Sequence, residues 1–176
     1  YKAIQKLYNY KSGVIGFTLR LLARENYELA KKALSSEKVA LITGEEKIIP
    51  SNAKYFFCTV ESIPEDLDFE LVAIDEAQMA SDYDRGYIFT EKILNKKGTK
   101  ETLFLGSRSI ENILKEIYPE IIIYKKPRLS KLSYAGYKNL TRLPKRSAII
   151  AFSQIDLYEI ANKIKQTHGG VSVVLG

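Results

Sequence analysis

Two adjacent carboxylates, Asp75 and Glu76, and a glutamine two positions on, Gln78, directly follow the apolar run Leu71-Val72-Ala73-Ile74. A buried parallel strand delivers polar residues to the edge of a sheet in this way, at the place where open α/β folds bind ligands. In a nucleotide-hydrolysing domain the first acid holds Mg²⁺ and the second orients the attacking water. Neighbouring residues at a strand end diverge, so one carboxylate can face a metal and the other a water. Two solvated acids that cap the next helix would show the same pattern. A phosphate-cradling G-x-x-x-x-G-K-[ST] loop is absent from these 176 residues.

Other polar residues stand where apolar runs end. Thr18 to Glu25 follows Gly13-Val14-Ile15-Gly16-Phe17, at a strand-to-helix junction whose amides can bind phosphate. Thr43-Gly44-Glu45-Glu46 follows Val39 to Ile42, and Thr59-Val60-Glu61 ends the run from Tyr55. Gly106-Ser107-Arg108-Ser109 follows Thr102 to Leu105. If these strands are parallel, all such ends project from the same C-terminal edge as Asp75 and Glu76.

The elements that must position these residues alternate between strand and helix. Helical spacing is expected over Lys2–Tyr10, Leu19–Leu34, Tyr87–Leu94, Ile110–Tyr118 and Ile155–Lys165. In the second of these, Leu22, Leu29, Ala30, Ala33 and Leu34 are the expected buried face. Strands are also expected at Ile121–Tyr124, Ala148–Phe152 and Val171–Leu175. Repeated βα units imply an α/β fold with a parallel sheet covered on both faces. Residues 125–146 are basic, contain two prolines and show weak periodicity, so they read as a linker with room for one short strand. The expected organisation is one nearly complete domain over 1–124, the linker over 125–146, and the start of a second domain over 147–176.

Composition narrows the classes. Lysines and arginines number 27 against 21 acids, a net charge of +6, which favours a polyanionic partner. The one cysteine, Cys58, excludes an internal disulfide and reads as a core thiol. The one histidine, His168, precedes Gly169-Gly170 as a helix-end residue would. No apolar stretch approaches the roughly 20 residues of a membrane span, so no membrane partner is expected. An intracellular, reducing compartment is the simplest expectation.

The segments Leu19-Arg20-Leu21-Leu22-Ala23-Arg24-Glu25, Thr43-Gly44-Glu45-Glu46, Cys58-Thr59-Val60-Glu61, Ile74 to Met79, Asp84-Arg85-Gly86-Tyr87 and Ala151 to Tyr158 occur in the order and spacing of one family. The chain resembles the Suppressor of Var RNA helicases, superfamily-two DExH-type enzymes of mitochondria and related bacteria. The resemblance implies two tandem RecA-like domains with ATP and RNA bound between and across them. It implies that Asp75 holds Mg²⁺, that Glu76 positions water, and that Gln78 helps couple ATP to RNA. It places Arg20, Thr43, Gly44 and Thr59 along the RNA backbone, with Phe152 and Ser153 opening the first motif of the second domain. Gly106 and Ser107 fall in the motif that links hydrolysis to strand separation.

The sequence departs from the family pattern at Thr18 (usually proline), Tyr87 (usually tryptophan) and Ser107-Arg108-Ser109 (usually Glu-Pro-Ala-like). Tyr1 matches the tyrosine after the family's phosphate loop. The expectation is therefore a helicase interior without its two catalytic ends, inactive toward ATP as it stands. The resemblance also implies an exoribonuclease partner and a mitochondrial-matrix or bacterial cytoplasmic location. A non-catalytic RNA-binding module and a DNA helicase remain as alternatives.

Overall fold

The computed structural model describes residues 2–127 and 130–175. Tyr1, matched above to the residue after a phosphate loop, lies outside them. The chain divides into two compact units, Tyr1–Ile123 and Tyr124–Gly176.

The first unit is built on a six-stranded sheet. Its strands are β1 (Gly13–Phe17), β2 (Val39–Ile42), β3 (Lys47–Ile48), β4 (Tyr55–Thr59), β5 (Leu71–Ile74) and β6 (Glu101–Phe104). Their spatial order is β3-β2-β4-β1-β5-β6. All pairings are parallel except β2 with β3. The short β3 was not expected. Thr43 makes it possible, because its Oγ1 accepts the amides of Glu45 (3.3 Å) and Glu46 (3.0 Å) and folds the chain back into a hairpin. The registers Phe17↔Thr59, Ile42↔Cys58, Gly16↔Ile74 and Ile74↔Phe104 align five strand ends along one edge.

Both faces of the sheet are covered, which is why its central strands are near-continuous apolar runs. On one face Ile15, Phe17, Leu41, Tyr55, Phe57 and Leu71 pack under α1 (Lys2–Leu7) and α2 (Arg20–Ala33). On the other, Val14, Ala40, Phe56, Cys58 and Val72 meet Ile63 and Phe69. A third cluster joins Ile74 and Val60 to Phe89 and Ile93 of α3 (Gly86–Asn95) and Leu114 of α4 (Glu111–Ile117).

The helix α2 turns inward a face that overlaps the expected one: Ala30 is buried and Leu22 and Leu34 pack against the core, while Leu29 and Ala33 face solvent. Ala23, Tyr27 and Ala30 are buried, whereas Leu29 is 49% exposed. Over Phe17, Phe57 and Tyr55 of the sheet, the small Ala23 and Ala30 flank Tyr27 and let the helix lie close. Residues 121–124 are not a strand, and Ile122 and Tyr124 are exposed.

In the second unit the helix α5 (Gln154–His168) forms as expected. Ser153 caps it by accepting the Asp156 amide at 3.0 Å, and Gly169 closes it at φ 81°. The flanking strands expected at 148–152 and 171–175 are absent from the described residues. Parallel strands need several neighbours and a covered face before their pairing is stable, and this short unit supplies neither. The βαβ unit expected over 147–176 is therefore present as its helix alone.

Candidate functional site

Strand β5 is fully buried, so its last hydrogen bonds fix where its acids emerge. The Asp75 amide donates to Gly16 O at 2.9 Å and the Ala77 amide to Leu105 O at 2.8 Å. The acid pair is thus pinned between the ends of β1 and β6. Glu76 between them adopts a left-handed backbone, φ 54° and ψ 44°. That conformation costs a non-glycine residue about 1–3 kcal/mol and clusters at functional sites.

Asp75 is half-buried, while Glu76 is exposed. Burial, and then the charge of Glu76, hold the Asp75 carboxyl above the usual aspartate range. No lysine or arginine among the described residues forms an ion pair with it.

Gln78 joins two of the expected motifs. Its Nε2 donates to the Glu76 carboxylate, and its Oε1 accepts the Ser107 amide at 3.0 Å. Gly106 is what allows this approach, since a Cβ there would stand 2.5 Å from Gln78 Oε1. Ser107 and Ser109 share a hydroxyl hydrogen bond of 2.6 Å. The structure therefore brings Asp75, Glu76, Gln78, Gly106 and Ser107 together.

The strand ends expected to meet RNA lie on the same edge but differ in availability. Thr59 is 1% exposed, and its hydroxyl donates to Ser62 Oγ at 3.0 Å. Thr43 is buried and occupied with its own turn. Gly44, at the hairpin tip, is exposed and has no neighbour within 4 Å of a built Cβ. Arg20 is exposed and paired with Glu45. Its neighbour Arg24 pairs with Glu46 at 2.5 Å and Glu28 at 3.0 Å. Ion pairs this exposed contribute little to stability and exchange readily for phosphates. Phe152 and Ser153 belong to the second unit, with Phe152 fully exposed.

Thr18 does not cap α2. Its carbonyl instead accepts Arg85 Nη1 at 3.1 Å. Arg85 stands in a segment that carried the family resemblance, but nothing in its spacing assigned it a role. Cys58 is fully buried, and desolvation pushes its thiol up to about 12, so it is not a nucleophile.

With this geometry, the family model for the DEXQ-box helicase domain of Suv3 matches residues 1–122. The chain belongs to the Suv3 helicase family. The six-stranded, mostly parallel sheet is the α/β architecture that the resemblance implied. The mitochondrial ATP-dependent RNA helicase SUV3 of Saccharomyces paradoxus is 35% identical over 191 residues, covering 100% of this chain and 25% of that protein. Human mitochondrial SUPV3L1, also an ATP-dependent RNA helicase, is 30% identical, covering 94% of this chain and 22% of that protein. The Arabidopsis thaliana mitochondrial helicase DExH18 is 28% identical, covering 100% and 23%. A solved structure of S. cerevisiae Dbp5 bound to Nup159, Gle1, IP6 and ADP is 18% identical, with a TM-score of 0.44 over 62% of this chain and 34% of that chain. The chain spans about a quarter of the length of the curated relatives it matches.

Proposed function

We propose that the protein containing this chain is an ATP-dependent RNA helicase whose hydrolysis site includes Asp75, Glu76 and Gln78. The observation that carries this reading is the Gln78 bridge. One side chain touches the acid suited to hold water and the loop after β6, on the edge where five strand ends converge.

The residues present fit a magnesium-bound nucleotide. Asp75 is a half-buried carboxylate beside the Glu76 carboxylate, with no paired lysine or arginine among the described residues. No cluster of three metal-ligating side chains occurs among the described residues. Mg²⁺ takes one or two carboxylates, of which Asp75 at this strand end can supply one, and completes its shell with water and substrate phosphates. When bound, Mg²⁺-ATP would supply the transferable phosphoryl group and the charge that balances it.

The chain's own residues then divide the work. Asp75 supplies a carboxylate oxygen toward the cation. Glu76, outermost and exposed, orients a water and accepts its proton. Gln78 holds the Glu76 carboxylate through Nε2, so a shift in the Gly106-Ser107 loop reaches Glu76 through one amide. RNA phosphates run along Arg20, Gly44 and the backbone beside Thr43 and Thr59. Phe152 and Ser153 add contacts from the second unit, which we take as the start of a second RecA-like domain.

The named relatives are mitochondrial, and the mitochondrial matrix is the location we propose. An exoribonuclease partner, implied by the family resemblance, belongs to the same proposal. No helix among the described residues is long and apolar enough to cross a membrane. The test uses the full-length protein with matched RNA and DNA single strands. ATPase stimulation by RNA, about tenfold above that by DNA, is the expected result. Equal or greater stimulation by DNA would favour a DNA helicase, and none by either would favour a non-catalytic module.

A further inference from the structure

Beyond the expected motifs, one side chain ties the acid-bearing loop to the ends of β1 and β4. The Arg85 guanidinium donates through Nη1 to the carbonyl of Thr18, at the end of β1, at 3.1 Å. Through Nη2 it reaches the Glu61 carboxylate, just past β4, at 3.3 Å. Its Cζ lies 5.8 Å from the centroid of Phe89 in α3. A planar guanidinium presents its donors in a rigid fork, whereas the three donors of an ammonium rotate about a point charge.

The backbone of Arg85 is equally well placed. The Asp82 carboxylate accepts the amides of Asp84 (3.1 Å) and Arg85 (2.8 Å). Gly86 packs so closely that a Cβ would stand 2.6 Å from Ala80 O. On the other side, Ser81 Oγ donates to Gln78 O at 2.8 Å, and the Asp82 amide to Met79 O at 2.9 Å. The segment from Gln78 to Gly86 is therefore one tightly bonded piece, with Gln78 at one end and Arg85 at the other. Thr18 is two residues before Arg20, and Glu61 two residues after Thr59. Glu61 has no other ion pair among the described residues.

We infer that Arg85 is a positioning residue that couples RNA occupancy at the ends of β1 and β4 to the Glu76–Gln78 loop, an inference that rests on the function proposed above. A displacement of either strand end pulls on the guanidinium and passes through the 78–86 segment to Gln78. The bridge is about one-third exposed, so screening keeps it from being a main support of the fold. Its loss should act on coupling rather than on folding.

The experiment compares full-length wild type with Arg85→Ala, Arg85→Lys, Glu61→Ala and the Arg85→Ala/Glu61→Ala pair. It reads basal ATPase, RNA-stimulated kcat, the RNA concentration for half-stimulation, and the melting temperature. Arg85→Ala should keep basal ATPase within about twofold and lose RNA stimulation by about tenfold, within the range seen for coupled sites. Glu61→Ala should lose less, because the Thr18 contact remains, and the pair should be no worse than Arg85→Ala alone. Arg85→Lys, which keeps the charge without the fork, should stay close to Arg85→Ala. Undiminished stimulation in Arg85→Ala, or equal losses of basal and stimulated rates, would overturn the inference. A wild type with no RNA-stimulated ATPase would instead overturn the proposed function.

Discussion

Asp75 and Glu76 are neighbours in one chain, yet their surroundings pull them toward different tasks. Burial and the adjacent carboxylate hold the Asp75 carboxyl above its ordinary range. The folded state therefore takes up this proton more readily than the unfolded state does. The stabilising contribution is present below the ordinary aspartate pKa and is lost as pH rises through the raised one. At neutral pH the ionised Asp75 is a cost to the fold. Asp75→Asn should accordingly raise the melting temperature at pH 7, by a margin that shrinks in acid, while lowering Mg²⁺-dependent ATPase by about 10²-fold or more. Thermal melts at several pH values check the first part, and a fall in melting temperature at pH 7 would contradict it. The acid pair was legible in the sequence as a strand end, because four apolar residues lead straight into it. A plain helix cap shows the same pattern, and only the other strand ends set the pair apart. Arg85 was not legible. Its partners are 67 and 24 positions away, and only the register of β1, β4 and β5 brings them together.

At the scale of elements, α3 shows how the acid strand is held from behind. Lys92 and, one turn on at its C-cap, Lys96 are buried. Lys96 donates to the carbonyls of Glu65 (3.1 Å) and Leu67 (2.7 Å), clasping the loop before β5. Lys92 pairs with Glu65 and Glu91, but burial, and then Lys96, pull its pKa down. A buried ammonium whose partners are 61% and 45% exposed gains little from them. Lys92→Met should therefore stabilise the domain by about 1 kcal/mol. The gain should be largest at neutral pH and fade in alkali, where Lys92 sheds its proton in the folded state. Denaturant melts at pH 7 and pH 10 check this, and destabilisation at pH 7 would show that the ion pairs outweigh burial. The five parallel strands were legible because both faces of the sheet are covered and each central strand is an apolar run, whereas the short, exposed β3 carries no such pattern. The edge of the buried α2 stripe was not legible either, since Leu29 and Ala30 are equally apolar in the sequence. Only the aromatic layer beneath decides which one fits. The strands expected at 121–124, 148–152 and 171–175 had the right composition but no neighbours to pair with.

For the whole molecule, the five strand ends on one edge turn weak local motifs into a single surface. Composition showed only a modest excess of positive charge, and periodicity showed only alternation. Parallel registers supplied the rest, placing the acid pair, Gln78 and the ends of β1, β2 and β4 along one line. The central claim is that this edge is the hydrolysis site of an RNA helicase, with Glu76 acting on water. The most direct measurement is single-turnover ATP hydrolysis by the full-length protein with RNA bound, comparing wild type with Glu76→Gln. A glutamine keeps the size and the hydrogen bond toward Gln78 but cannot accept the water's proton. The account predicts that nucleotide binding survives while the hydrolysis rate falls by about 10²–10⁴-fold. Hydrolysis at the wild-type rate in Glu76→Gln would contradict it.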